Sequence, residues 1–256
     1  MAKLNGKKFV EKSIEQLKLY PFGTKFIIKA KNFETGEVKI LKDQTIKTYS
    51  KSLSYLKYLN VAGYNIFLFL CRQTGGATDI LLDDITNQGV KRLYNDGFEP
   101  LYYLETSPDN FQAIIKLSDS PVDNMDILTF ISRQLAETYD ADINSSDIRH
   151  FFRIAGFVNR KLKYRNEKGL YPFVEFFVGI GKTCKKGQEY IDKILAGIDA
   201  GFIELPPERN IATPPALLQA GKKMGNTCTN ILKKSMIAAT QAIYPPLILK
   251  PPNMQS

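Results

Sequence analysis

The chain has 256 residues, of which 44% are hydrophobic and 24% charged, as expected for a globular protein with one large domain or one domain and an appendage. No window approaches the roughly 20 apolar residues of a membrane span, and the N-terminus lacks the apolar core of a secretory signal, so we expect a cytoplasmic protein with no membrane partner. The net charge of +9 favours a polyanionic partner such as nucleic acid, although a solvated lysine-rich surface would give the same charge.

The spacing of apolar residues predicts helices and strands that are mixed along the first 205 residues. Turn signals at Glu34-Thr35-Gly36 and at Ser107-Pro108-Asp109-Asn110 indicate two hairpins. The predicted strands are 24–31, 37–42, 65–72, 79–85, 101–105, 111–117 and 171–178. The predicted helices are 9–19, 51–59, 87–95, 122–139 and 187–198.

This mixture of hairpins and helices predicts an α+β domain with a mixed, largely antiparallel sheet and flanking helices. We expect the domain to cover residues 1–205. Four prolines between 206 and 215 then mark a linker, and the residues that follow are basic and weakly helical. Residues 206–256 are therefore predicted to form a linker and a short C-terminal helical accessory segment.

Two acids close the apolar strand predicted at 79–85, which we expect to be central in its sheet, like 65–72 before it. Carboxylates are costly at the end of a buried strand unless they are solvated or bind a metal, so Asp83 and Asp84 are candidate metal ligands. Neighbours in a regular strand point to opposite faces. Either the strand bends or ends between the two acids, or one binds metal while the other caps the helix that begins near Thr86.

The segment 141–161, ADINSSDIRHFFRIAGFVNRK, places acids before bases. Its Asp142 completes a set of aspartates from separate segments, as two-metal phosphoryl transfer requires. The cations that follow are Arg149, His150, Arg153, Arg160 and Lys161. Because guanidinium groups bind phosphate oxygens in pairs, these cations predict a cradle for a triphosphate or a nucleic-acid backbone. The alternative is an ordinary charged helix end.

Residue counts and spacing weigh against several other kinds of site. The three cysteines lie far apart without a thiol or histidine at metal spacing, so we expect neither a zinc site nor a disulfide framework. His150 is the single histidine, whereas relaxases and rolling-circle initiators need a histidine cluster to bind metal. Gly181-Lys182-Thr183 looks like the end of a P-loop, but Phe176 occupies the upstream glycine position.

Taken together, these segments resemble the RepB-type replication primases of broad-host-range plasmids, members of the archaeo-eukaryotic primase superfamily. The resemblance rests on LLDDIT, GFEPLYYLETSPDNFQAIIKL, YDADINSSDIRHFFRIAGFVNRK and GLYPFVEFFVGIGKT, in this order, between about residues 57 and 183. It implies an RRM-like catalytic core that synthesises primers from nucleoside triphosphates on a single-stranded DNA template. It also implies that Asp83, Asp84 and Asp142 hold Mg²⁺ or Mn²⁺ in a two-metal site.

The resemblance further implies nucleotide or phosphate contacts from two motifs. The first falls on Ser107, Asn110 and Gln112, where many members of the superfamily have a histidine, so Gln112 offers a hydrogen bond without a charge. The second comprises Arg149, His150, Arg153, Asn159, Arg160 and Lys161. A plasmid helicase or initiator protein is a further expected partner. The alternatives are a catalytically silent single-stranded DNA or origin-binding protein, and a nuclease that uses the same acids.

Overall fold

The computed structural model describes residues 6–71 and 77–205, which form five α-helices and eight β-strands. The helices are α1 (Gly6–Lys18), α2 (Ile46–Val61), α3 (Asn87–Asp96), α4 (Met125–Thr138) and α5 (Gly187–Asp199). The strands are β1 (Lys25–Asn32), β2 (Val38–Gln44), β3 (Tyr64–Cys71), β4 (Asp79–Ile85), β5 (Tyr102–Ser107), β6 (Asn110–Lys116), β7 (Phe152–Arg153) and β8 (Glu175–Val178). The predicted α+β class is thus confirmed, while the accessory segment predicted over 206–256 lies outside the described residues. No described helix combines the length and apolarity needed to cross a bilayer.

The described strands form two antiparallel sheets rather than one. Sheet I has the order β2-β1-β3-β7, and sheet II has the order β4-β6-β5-β8. The prediction that β3 is central is confirmed, whereas the same prediction for β4 is wrong because β4 lies at the edge of sheet II. Its apolar sequence reflects cover by α4, where the Ser132 hydroxyl donates to the Leu81 carbonyl oxygen at 2.9 Å. An apolar run therefore reports burial and not the number of paired neighbours.

Sheet II is buried on both faces. Leu82 and Ile115 lie in one apolar core with α3, α4 and α5. Tyr102 and Ile114, on the opposite face, share a second core with Phe26 of sheet I and with α1 and α2. Burial of apolar surface is the main force that stabilises such packing, so the second core fixes the two sheets relative to each other.

Capping residues explain where two helices begin and end. The helix α2 begins five residues before its predicted start at 51 because Thr45 and Thr48 form a reciprocal capping box. The helix α3 matches its prediction: the Thr86 hydroxyl accepts from the Gly89 N–H at 3.1 Å, and Gly97 ends the helix with φ +85°.

Two predicted elements are shorter in the structure. The helix α4 begins at Met125 because Val122 pairs with Ala77 in an isolated antiparallel bridge. The strand β8 is confined to Glu175–Val178, and the preceding Phe173 bridges Val158 instead. Val122 and Phe173, which were predicted to lie in a helix and in a strand, therefore connect loops through these isolated bridges.

Candidate active site

A cleft of about 320 Å³ opens where the end of β4 meets β7 and one side of β1 and β3. Most of the residues that the sequence assigned to chemistry line this cleft. The structure brings together Asp83, Asp84, Gln112, Asp142, Arg149, His150, Arg153, Asn159 and Lys161. Ser107, Asn110 and Arg160 are not among the lining residues. Acids and cations from distant parts of the chain therefore share one cavity.

A bulge near the end of β4 allows both neighbouring acids to line the cleft. Leu82 pairs with Ala113 but Ile85 pairs with Phe111, so β4 has one residue more than β6 across this interval. Asp84 adopts the left-handed conformation with φ +54°, which aspartate tolerates better than most residues. The strand thus bends at the acids, and the alternative in which one of them caps α3 is wrong because Thr86 provides that cap.

Asp142 reaches the same cleft because the loop after α4 is tied to β4. The Asp142 N–H donates to the Asp83 carbonyl oxygen at 2.8 Å. The Asp142 carboxylate accepts from the Asn144 N–H at 2.9 Å and from the Ser145 hydroxyl at 2.7 Å, and so caps the short 3-10 helix Ile143–Ser145. These contacts hold position 142 beside position 83.

The acids of β4 are oriented by two amide side chains from β6. Gln112 Nε2 donates to Asp83 Oδ1 at 2.9 Å, and Gln112 Oε1 accepts from the Arg153 N–H at 2.8 Å. Asn110 Nδ2 donates to Asp84 Oδ1 at 2.9 Å. Both ends of the Gln112 amide therefore form hydrogen bonds within the protein. Together they link the Asp83 carboxylate to the backbone of β7.

Gln112→Leu is expected to lower the free energy of unfolding by about 1–3 kcal/mol, because it leaves the buried Arg153 N–H without an acceptor. Urea denaturation of the full chain measures this loss. Gln88→Leu is the matched control, since Gln88 is exposed on α3 and should change stability by less than about 0.5 kcal/mol. Equal stability of the two variants would contradict a structural role for the Gln112 amide.

Arg153 is a buried cation with an unsatisfied donor. Its side chain is held by Nη1, which donates to Asn65 Oδ1 at 2.9 Å, and by the Phe67 ring, whose centroid lies 5.1 Å from the guanidinium carbon. The residue is only 3% exposed, yet Nη2 has no hydrogen-bond partner among the described residues. Burial lowers the pKa of Arg153 to about 10, and the Asp83 carboxylate opposes that shift, so the group stays charged at neutral pH. Buried charged donors are normally paired, which makes Nη2 a candidate contact for an anionic ligand.

Arg149 and His150 of the lining are held by a side-chain contact and a backbone contact, respectively. Arg149 forms an ion pair with Asp126 at 3.4 Å, and the His150 N–H donates to the Asp147 carbonyl oxygen at 2.9 Å. Residues 141–161, all of them described, contain two strand residues and a short 3-10 helix but no α-helix. The alternative of an ordinary charged helix end is therefore wrong.

Arg160 belongs to the same motif but makes different contacts. Its Nε donates to the Asn60 carbonyl oxygen at 2.9 Å, and its guanidinium stacks 5.2 Å from the centroid of the Tyr171 ring. Ser107 is buried with 2% exposure. The P-loop-like residues 181–183 are also absent from the cleft lining among the described residues. Arg160 thus contacts the structure around the cleft, and neither Ser107 nor residues 181–183 line it.

The carboxylates of the cleft are suitable ligands for divalent cations, but they are not arranged as a preformed metal site. Asp83, Asp84 and Asp142 offer the hard oxygen atoms that Mg²⁺ and Mn²⁺ prefer. In the described part of the chain, however, no three histidine, cysteine, aspartate or glutamate residues are grouped so that they could hold a metal ion. Burial and the Asp84 carboxylate raise the pKa of Asp83, while His150 and the Gln112 amide act in the opposite direction. The three carboxylates are thus suitable ligands for a divalent cation by their chemistry. In this structure their oxygens accept hydrogen bonds from protein groups.

Sequence reasoning missed the contribution of sheet I to the cleft. β1 and the residue after it supply Lys29, Lys31 and Phe33, while β3 supplies Phe67. The signal was present as a period-two alternation, since residues 29, 31 and 33 fall on one side of a strand. The pairing of β1 with β3 and of β3 with β7 was needed to place that side against the basic motif.

Comparisons with known proteins identify primases and a mobilization protein as relatives. The family model of the RepB DNA-primase N-terminal domain matches residues 57–200. The chain is 30% identical over 189 residues to Mobilization protein A of Escherichia coli, over 74% of this chain and 26% of that protein. It is 34% identical over 144 residues to a DNA primase of Acidithiobacillus ferrooxidans, over 55% of this chain and 41% of that protein. The chain thus matches less than half the length of each of these two relatives.

Solved structures agree with the sequence relatives. The crystal structure of primase RepB' matches with a TM-score of 0.67 and 28% identity, over 75% of this chain and 64% of that one. The catalytic domain of RepB' in complex with initiator DNA matches with a TM-score of 0.63 and 26% identity, over 74% and 97%. The AEP domain of the cyanophage S-2L primase-polymerase shares the fold, with a TM-score of 0.53 and 14% identity over 73% and 97%.

Proposed function

Since the chain belongs to the RepB DNA-primase family, we propose that it is a plasmid primase that joins nucleotides into a primer on single-stranded DNA. The observation that carries the proposal is the meeting of three aspartates and the buried Arg153 in one cleft. The relatives named as DNA primase and primase RepB' support the activity. The RepB' catalytic domain in complex with initiator DNA supports a DNA ligand.

In the proposed reaction, a 3′ hydroxyl oxygen attacks the α-phosphorus of a nucleoside triphosphate. A phosphodiester bond forms, the bond between the α- and β-phosphates breaks, pyrophosphate leaves and the hydroxyl proton passes to solvent. Asp83, Asp84 and Asp142 would hold two Mg²⁺ or Mn²⁺ ions, which would supply neutralisation of charge on the reacting oxygens. Gln112 keeps the Asp83 carboxylate in position, and Arg153 binds a phosphate oxygen through Nη2.

The other polar residues divide into two groups. Arg149, His150 and Lys161 line the cleft and are proposed to contact phosphates of the nucleotide or of the template. The residues that we assign to support of the site rather than to direct contact are Ser107, Asn110, Asn159 and Arg160. We further propose that the protein works in the cytoplasm with a helicase or an initiator protein of the same plasmid.

Primer synthesis on circular single-stranded DNA with labelled nucleoside triphosphates tests this function. We expect short labelled products that require both the template and Mg²⁺ or Mn²⁺. EDTA should abolish the products, and excess Mg²⁺ or Mn²⁺ should restore them, because charge neutralisation and positioning provide most of the catalysis in phosphoryl transfer.

Two outcomes would contradict the proposal. DNA binding that is indifferent to the metal, without product on templates of varied sequence, would indicate a catalytically silent binding protein. Degradation of a labelled strand in the absence of nucleotides would indicate a nuclease.

A further inference from the structure

Sheet I presents a row of cations and aromatic rings to the cleft. Lys29 of β1 lies opposite Phe67 of β3, and Phe67 in turn lies opposite Arg153 of β7. Lys31 follows two residues after Lys29 on the same side of β1. The alternate residues Phe26, Ile28 and Ala30 are buried in the core. One side of β1 therefore packs in the core, while the other side packs Ile27 against Phe69 and presents Lys29 and Lys31 to the cleft.

Each cation in this row lies over a ring. Lys29 Nζ is 4.8 Å from the centroid of the Phe151 ring, and Lys31 Nζ is 4.8 Å from that of Phe33. Neither lysine forms an ion pair with an acid among the described residues. Their positive charges thus remain available to a ligand.

Phe33 is the accessible ring of the row. It is 45% exposed, and its edge-to-face contact with Phe67, at 6.2 Å between centroids, fixes its orientation. An accessible aromatic ring beside lysines that have no acidic partner is suited to a ligand with apolar faces and negative charges. A strand of nucleic acid has both, because its bases stack on rings and its phosphates contact cations.

We propose that Lys29, Lys31, Phe33 and Phe67 form a strand platform, a subsite for single-stranded DNA on the sheet I side of the cleft. A base stacks on Phe33, and Lys29 and Lys31 contact the neighbouring phosphates. This inference rests on the proposed function and adds to it a place for the strand that is separate from the acids. Because stacking and phosphate contacts do not read base edges, the platform accepts strands of any sequence.

Fluorescence anisotropy with a labelled oligothymidylate tests the platform, using the full chain in EDTA so that divalent ions do not contribute. Phe33→Ala is expected to raise the Kd about tenfold to hundredfold, in line with the loss of one stacked base. Lys31→Gln is expected to raise the Kd and to reduce the slope of log Kd against log salt by about one.

Matched controls lie outside the cleft lining. Phe22→Ala removes a fully exposed ring, and Lys51→Gln removes an exposed charge on α2; both should keep the Kd of the parent within about twofold. Thermal melting checks that Phe33→Ala folds. If Phe33→Ala does not fold, Phe33→Leu, which keeps an apolar side chain without the ring, and Lys31→Gln decide the question.

The outcomes separate the platform from the proposed function. Weaker DNA binding by the platform variants supports the platform even if the parent makes no primer, in which case the proposed function alone fails. Unchanged Kd values in Phe33→Ala and Lys31→Gln would overturn the platform while leaving primer synthesis possible. A higher KM for nucleotides with an unchanged Kd for DNA would also overturn it, because these residues would then hold the nucleotide and not the strand.

Discussion

Asp142→Asn is expected to lower the rate of primer synthesis about hundredfold or more while the protein stays folded and binds single-stranded DNA. Asparagine keeps the shape of aspartate and is an equally good N-cap, so the short helix Ile143–Ser145 should persist. Its oxygen can still accept from the Asn144 N–H, and its NH2 group can donate to the Ser145 hydroxyl, which now donates to the carboxylate. The Asp142 N–H that donates to the Asp83 carbonyl oxygen is unaffected by the substitution. The variant therefore removes a negative charge from the cleft with little other change, and a charge is what cation binding requires.

Labelled product formation, anisotropy with single-stranded DNA and thermal melting measure the three parts of this expectation. Asp123→Asn is the matched control, because Asp123 is exposed, precedes α4 and is absent from the cleft lining. The control should retain the parent rate within about twofold. Full primer synthesis by Asp142→Asn would show that the proposed role in metal binding is wrong.

The parts of the fold that follow from the sequence are those with local signals. Thr86 and Gly97 identify both ends of α3, and the turn residues at 34–36 identify the first hairpin. The acids at the end of β4 stand out because charge is unfavourable beside apolar strand residues. These signals need no knowledge of distant contacts. The predicted ends of α3 and the first hairpin agree with the structure, whereas the role of the acids as metal ligands stays a prediction.

Local sequence signals of this kind do not predict the bulge in β4. The sequence leaves open whether the chain bends between Asp83 and Asp84, because both conformations satisfy the same apolar pattern. The choice depends on how β4 pairs with β6, where Leu82 and Ile85 face residues that are only two apart. Pairing register is a property of two strands together, so one strand's sequence does not determine it.

The same reasoning explains why the strand platform was missed. Lys29, Lys31 and Phe33 lie far in sequence from the acids, and their place in the cleft depends on β1 pairing with β3 and on β3 pairing with β7. The two residues of β7 are too few to give a strand pattern. Sequence reasoning therefore finds the motif residues of the site and overlooks those that sheet I brings to it.

Arg153 and Arg160 belong to one motif and carry the same predicted role, but only Arg153 lines the cleft. Arg153→Lys is expected to lower kcat/KM for nucleoside triphosphates about hundredfold. A lysine ammonium is a point charge and does not donate to Asn65 and to a phosphate with the geometry of a guanidinium fork. Burial already lowers the pKa of Arg153 to about 10, and the same burial would move a lysine towards neutrality. Because a lowered pKa leaves a base more fully charged at lower pH, the activity of the variant relative to the parent should increase as the pH falls.

Arg160→Lys provides the matched comparison. Its guanidinium donates to the Asn60 carbonyl oxygen and stacks on Tyr171, so the substitution should lower the melting temperature and leave kcat/KM within about twofold of the parent. Steady-state primer synthesis at several nucleotide concentrations, followed across pH, measures both variants. If Arg160→Lys loses as much kcat/KM as Arg153→Lys, the division of the motif into a phosphate-binding arginine and a supporting arginine is wrong. If only Arg153→Lys loses activity, its unsatisfied Nη2 and not the net charge of the motif determines nucleotide binding.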